Sequence, residues 1–151
     1  MKTLTKQVKK HRKALLDLEK QLLSIVDDKS IMAGDNELFP LKHSFAHGIY
    51  VREMKMDKET FIIGKIHKHD HIWFLLSGHL VVATENGTEE YVAPCYVKAA
   101  AGSKRAIYAL EESIWVNVHT NPDNIEDLEV LEKEIIAKNY LEYEKFKQLK
   151  Q

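Results

Sequence analysis

The stretch GKIHKHDHIWFLLSG, residues Gly64–Gly78, sets His67, His69 and His71 at every second position and follows them with Trp73. In a β-strand alternate side chains share a face, so the three imidazoles and the indole are expected to line one surface. Three of the chain's eight histidines fall in five residues. That surface is where a metal, another ligand or water is to be sought.

Working outward, β-branched and aromatic clusters recur from about Ile49 to Val118 in GIYVREMKM, TFIIGKIHKH, IWFLLSG, HLVVAT, EEYVAP, YVKAAA, KRAIYAL and SIWVNVH. Each reads as a strand, and short turns separate them, with Asn86-Gly87 a strong hairpin signal. Closely spaced strands predict a sandwich or barrel, and no parallel α/β unit is evident. On the N-terminal side, Leu4, Val8, His11, Leu15, Leu18, Leu22 and Ile25 are spaced alternately by four and three, a heptad seam. Such a helix either lies on its own domain or pairs with a partner helix, and the length of the seam favours a homo-oligomer, dimer or trimer, with His11 near the contact. DDKSIMAGDNELFP is a turn-rich connection. On the C-terminal side Asn121 can cap a helix and Pro122 suits its first position, so a helix is expected from about Asp123 onward, burying Ile125, Leu128, Leu131 and Ile135. The organisation is one globular unit: an amphipathic helix in residues 1–30, a β-barrel in 45–120 and a C-terminal helix in 121–151.

At 151 residues, 22 Lys+Arg against 23 Asp+Glu give a formal charge of -1, so no overall field attracts nucleic acid or an anionic membrane. The single cysteine, Cys95, excludes an intrachain disulfide framework and reads as a buried thiol in a reducing cytoplasm. The basic N-terminus lacks the apolar core of a signal peptide, and no apolar run has the length of a membrane span. No activated-serine pattern and no phosphate loop occur.

Neutral imidazole is a good ligand for zinc, iron, nickel or copper, and two or three on one strand face share an ion if a neighbouring strand supplies the rest. The alternative is that His69 or His71 donates to a backbone carbonyl at a barrel mouth. His43, His47 and His79 read as structural.

GKIHKHDHIWFLLSG followed by APCYVKAAAGSKRAIYAL resembles the two motifs of the cupin superfamily, small β-barrels whose first motif is a glycine, an H-x-H pair, a glutamate and a closing glycine, and whose second ends in P-x-G-x-x-H. More narrowly, AGSKRAIYALEESIWVNVHTNPDNIEDLEVLEKEIIA is similar to small cupin-like proteins of tailed bacteriophages. The resemblance implies a mainly β fold: a single antiparallel cupin-like β-barrel, or jelly roll, flanked by helices. Gly78 takes the closing glycine; His71 then stands where the family has glutamate, His67 is the second histidine of the pair, and Lys65 stands at the first. Placing the pair on His67 and His69 restores H-x-H but leaves no acidic residue at the right distance. In the second motif Gly102 fits, Ala100 replaces proline and Arg105 occupies the histidine position.

Two of the four usual ligand positions are therefore cations. An ammonium or guanidinium about 7 Å from a dication, at an effective dielectric of about 20, repels it by roughly 5 kcal/mol. A remodelled metal site would use His67, His71 and His119, or His67, His69 and His71, for a divalent zinc, iron, nickel or manganese ion. Lys65, Arg105 and Trp73 instead suit a carboxylate or phosphate: a point charge, a fork of donors and a stacking face. A salt bridge from Arg105 to Glu111 or Glu112 is the structural alternative. Three functions follow: a cytoplasmic binder of a small anionic or nucleotide-like molecule, in a phage setting acting in the host cytoplasm to remove a host metabolite; a metal-dependent dioxygenase, isomerase or epimerase; and a structural or assembly protein. The concentration of His, Trp, Lys and Arg on inward positions favours the binder.

Overall fold

The computed structural model describes residues 4–25 and 39–150, so the turn-rich connection lies outside the described residues apart from Phe39 and Pro40. In chain order the elements are α1 (Lys6–Leu23), β1 (Leu41–Ala46), β2 (Gly48–Met56), β3 (Phe61–Ile63), β4 (Ile66–His67), β5 (His71–Ser77), β6 (His79–Thr84), β7 (Gly87–Val92), β8 (Cys95–Ala99), β9 (Ala106–Ala109), β10 (Ser113–Asn121), α2 (Leu128–Ile135), β11 (Ile136–Ala137) and α3 (Tyr140–Leu149). No helix among the described residues is long and apolar enough to cross a membrane.

Every strand pairing is antiparallel. One sheet has the order β1-β2-β10-β5-β8, a second β3-β9-β6-β7, and β11 pairs with β4. The sheets face each other without closing into a continuous barrel, which is the jelly-roll solution to burying two apolar faces. Met54, Trp73, Leu75 and Trp115 from the first sheet meet Ile62, Leu80, Val82 and Ile107 from the second. The two indoles stack at its centre, 4.0 Å between centroids. The alternation expected of the strands is what sorts these side chains inward. β1 escaped the sequence reading, as did the two-residue β11: LKHSFA is an edge strand with four exposed positions, so it lacks the apolar alternation that marks the core strands.

The histidine run is not one strand. It breaks at Lys68–Asp70, so His67 ends β4, His71 begins β5, and His69 lies on the bend. The closing glycine of the motif has a steric reason. Gly78 has φ +93°, and a Cβ there would come within 2.1 Å of Ser113 Oγ and 2.4 Å of the Glu112 carbonyl oxygen. Gly102 is alike: at φ +82° its Cβ would meet the Tyr143 ring at 2.5 Å.

The C-terminal segment departs from a single helix beginning at Asp123. Asn121 is the last residue of β10, and its side chain closes a loop by accepting from the Ile125 amide (3.0 Å) and donating to the Ile125 carbonyl (2.9 Å). Helix α2 starts only at Leu128, where Asp127 caps the Glu129 and Val130 amides. The helical path is then interrupted because Ile136 and Ala137 pair with His67 and Ile66. This two-residue ladder fixes α2 over the end of the sandwich.

The apolar stripe of α1 lies on its own domain. Leu15 packs with Ile63 and Ala106, and Leu18 and Leu22 flank them. His11 Nδ1 donates to the Glu85 carbonyl at 3.0 Å, Arg12 pairs with the Glu85 carboxylate at 3.0 Å, and Lys104 pairs with Glu19 at 2.8 Å. The middle of the heptad is thus used within the chain, while Leu4, Leu16, Leu23 and Ile25 remain exposed. Cys95 is partly buried against the core.

Candidate functional site

Four strands and one loop bring the site together. His67 ends β4, His71 begins β5, and His119 lies near the end of β10, opposite Tyr50 of β2. Arg105 immediately precedes β9, its carbonyl accepting from the Gly64 amide at 2.7 Å, while the Gly102 amide donates to the His67 carbonyl at 2.7 Å. The two motif glycine segments thereby dock the second motif on the first. All four side chains are buried.

The three imidazoles form a cluster, with centroids 4.3 Å apart for His67–His71, 4.7 Å for His71–His119 and 5.3 Å for His67–His119. Arg105 reaches into it: Nη2 lies 3.3 Å from His67 Nδ1 and 3.0 Å from His71 Nε2, and the guanidinium sits over Trp115, 5.6 Å from the ring centroid. Stacking continues outward through Tyr50 (5.9 Å from His119) to His43, whose Nδ1 lies 2.8 Å from the Tyr50 hydroxyl.

Beside the cluster is a cavity of about 350 Å³. Its polar lining includes Tyr50, Arg52, His67, Arg105, Asn117 and His119; Met54, Trp115, Leu131, Ile135 and Ile136 form an apolar wall. Helix α2 closes one side. Lys65 is at the cavity but its ammonium bonds Glu132 of α2, so the expected anion contact is engaged in an ion pair. Trp73, expected beside a ligand, is instead packed in the core, and it is Trp115, stacked upon it, that lines the cavity. His69 is apart from the cluster: Nε2 contacts the Glu134 carbonyl at 3.2 Å and the ring meets Phe146 edge-on. Arg105 has no contact with Glu111 or Glu112. The former carbonyl accepts from Ser113 and the latter carboxylate pairs with Lys55.

The electrostatics follow from burial. Desolvation first, then the Arg105 charge, holds His67 well below the ordinary imidazole range and His71 down at about 3. Desolvation, with His71 and Arg52 behind it, lowers His119 to about 2. All three are neutral at pH 7. Arg105 is lowered to about 10, by burial and then by Arg52, and stays charged. Neither guanidinium has a carboxylate in ion-pair reach among the described residues, and Asp70, the one acid of the first motif, is turned outward to the Ala101 amide and Lys98. Two buried ring nitrogens of cavity-lining residues, His67 Nε2 and His119 Nε2, have no hydrogen-bond partner among the described residues. Buried groups of this kind ordinarily find one, which a water or a ligand in the cavity can supply.

No protein-family model matches the chain, and no curated protein matches it. Solved structures do. KdgF from Halomonas sp. superposes with a TM-score of 0.51 at 15% identity, over 66% of this chain and 97% of that one. A cupin superfamily protein from Desulfitobacterium hafniense DCB-2 gives 0.50 at 10% identity, over 66% and 86%. The chain has the cupin fold. At these identities the likeness extends to the fold alone.

On the cupin scaffold a transition metal is the group to test against the donors present. The lone pairs of His67 Nδ1 and His71 Nε2 are taken by Arg105, because a guanidinium only donates. A dication about 4 Å from that guanidinium, at an effective dielectric of about 20, would be repelled by roughly 8 kcal/mol. Among the described residues no three His, Cys, Asp or Glu side chains are arranged to hold a metal ion. As arranged, these donors fit a guanidinium and do not fit a metal.

Arg52, Tyr50 and Asn117 were not singled out in the sequence, yet the signal is present. Tyr50, Arg52 and Met54 alternate on β2 and lie opposite His119, Asn117 and Trp115 on β10. One strand parity therefore gives both the core and the cavity.

Proposed function

We propose that this cupin-fold protein binds a small organic anion, with its carboxylate or phosphate group at Arg105 and Arg52 and its apolar body against Trp115, Leu131 and Ile135. The observation that carries this reading is the pair of guanidinium groups lining one cavity with no carboxylate in ion-pair reach of either among the described residues, Glu132 in the same lining being paired with Lys65. A cavity of about 350 Å³ lies at the lower end of small-molecule sites. The buried Nε2 atom of His67 adds a donor, since Nδ1 accepts from Arg105. Binding rather than turnover is favoured because the site supplies neutral imidazoles and fixed cations, its lining carboxylate Glu132 is engaged by Lys65, and no activated nucleophile stands there among the described residues. Sequestration of an anionic metabolite fits that equipment, and the resemblance of residues 101–137 to tailed-phage proteins gives it a setting in an infected cell.

The competing reading, a metal-dependent cupin enzyme, draws on the three imidazoles within 5.3 Å of one another. Native mass spectrometry of the purified protein, followed by denaturation and small-molecule mass analysis, separates the two. A released anion without metal is the expected result. A stoichiometric metal adduct without an anion would move the assignment to the enzyme, and the same spectrum reports subunit number.

A further inference from the structure

We propose that Arg105 is the built-in cation of this centre, occupying with its guanidinium the position among the imidazoles that a metal ion would otherwise take. The side chain is 4% exposed, and one nitrogen, Nη2, bridges two imidazole nitrogens at 3.3 and 3.0 Å. A guanidinium has donors and no acceptor, so both nitrogens receive the bond through the in-plane lone pair that would otherwise bind a metal. The third ring, His119, lies against the other two, and Trp115 supports the guanidinium from below. The cation is covalently part of the chain and cannot be removed by a chelator.

Two consequences follow. The tautomers are fixed: His67 carries its proton on Nε2, and His71 carries its proton on Nδ1, directed at the His69 carbonyl 3.4 Å away. The charge of this one residue also holds down the affinity of the imidazole cluster for a metal ion. The inference concerns the cavity assigned above to an anion but does not depend on an anion binding there, and its test contains none.

The wild-type protein, Arg105→Ala and Arg105→Met are dialysed against EDTA, then titrated with Zn²⁺ and with Ni²⁺ by calorimetry. Removing the guanidinium is expected to tighten binding by at least about 100-fold in both variants. Long-range proton–nitrogen NMR of wild-type imidazoles is expected to show His67 as the Nε2–H form and His71 as the Nδ1–H form. Stoichiometric sub-micromolar zinc binding at the cluster of the wild-type protein overturns the inference, and so do variants that keep the wild-type circular dichroism spectrum yet bind metal no more tightly. If both variants unfold, the wild-type tautomers decide: the reverse assignment at either ring excludes the bridging guanidinium.

Discussion

Arg105→Ala is expected to lower the affinity for a small organic anion by about 2–5 kcal/mol, roughly 30- to 5000-fold. The size reflects burial: the guanidinium is 4% exposed, so its charge acts where water screens little. Arg52 is only half-buried, and Arg52→Ala should cost less. Arg105→Lys retains the charge but loses the planar guanidinium whose Nη2 bridges His67 and His71, and should fall between wild type and alanine. His67→Ala removes one uncharged donor and should be milder than Arg105→Ala. Calorimetric titration with phosphate and with a set of aliphatic and aromatic carboxylates, all in EDTA, checks the order. If His67→Ala abolishes binding while Arg105→Ala leaves it intact, the cluster works through its imidazoles.

The second large effect is on stability in acid. His67, His71 and His119 all have folded pKa values below the ordinary 6.5, the latter two at about 3 and about 2. Below pH 6.5 the unfolded chain therefore binds protons that the folded chain refuses. Unfolding free energy then falls as pH falls, by up to about 1.4 kcal/mol per pH unit for each imidazole, and the contribution is intact above the unfolded pKa. Three such groups give at most about 6 kcal/mol by pH 5, comparable with the whole stability of an ordinary domain. The charges facing them, Arg105 and Arg52, oppose protonation and keep the sign. Thermal unfolding followed between about pH 8 and 4 should show a steep loss beginning near 6.5. A melting temperature that stays level down to about pH 4.5 would contradict neutral burial of the cluster.

Most of the fold was legible because strand alternation and turn chemistry are local signals. GIYVREMKM is β2 residue for residue, and HLVVAT is β6. The parity of His67, His71 and Trp73 correctly placed all three inward. What alternation could not show is that Lys68–Asp70 bends, which removes His69 from the face it seemed to share. The C-terminal helix start was misread because Asn121 and Pro122 have the chemistry of a cap. Tertiary pairing overrode it: β10 extends to Asn121 against Gly48, and β11 is recruited by β4. The heptad of α1 was legible as a stripe, but a stripe does not name its partner, and here the partner is Ile63 and Ala106. The site was half legible. Arg105 stood out through the motif, whereas Arg52 and Asn117 become neighbours only through the β2–β10 register.

The account rests on charge recognition in a cavity without metal, and a matched pair of ligands tests that directly. A carboxylate from the binding series and its primary amide have nearly the same shape and differ in charge. Titrated into the wild-type protein in EDTA, the carboxylate is expected to bind at least about 30-fold more tightly, the share that charge-assisted bonds to Arg105 and Arg52 supply. Equal affinity for the acid and the amide, or binding of the acid that disappears with EDTA and returns with zinc, would contradict it.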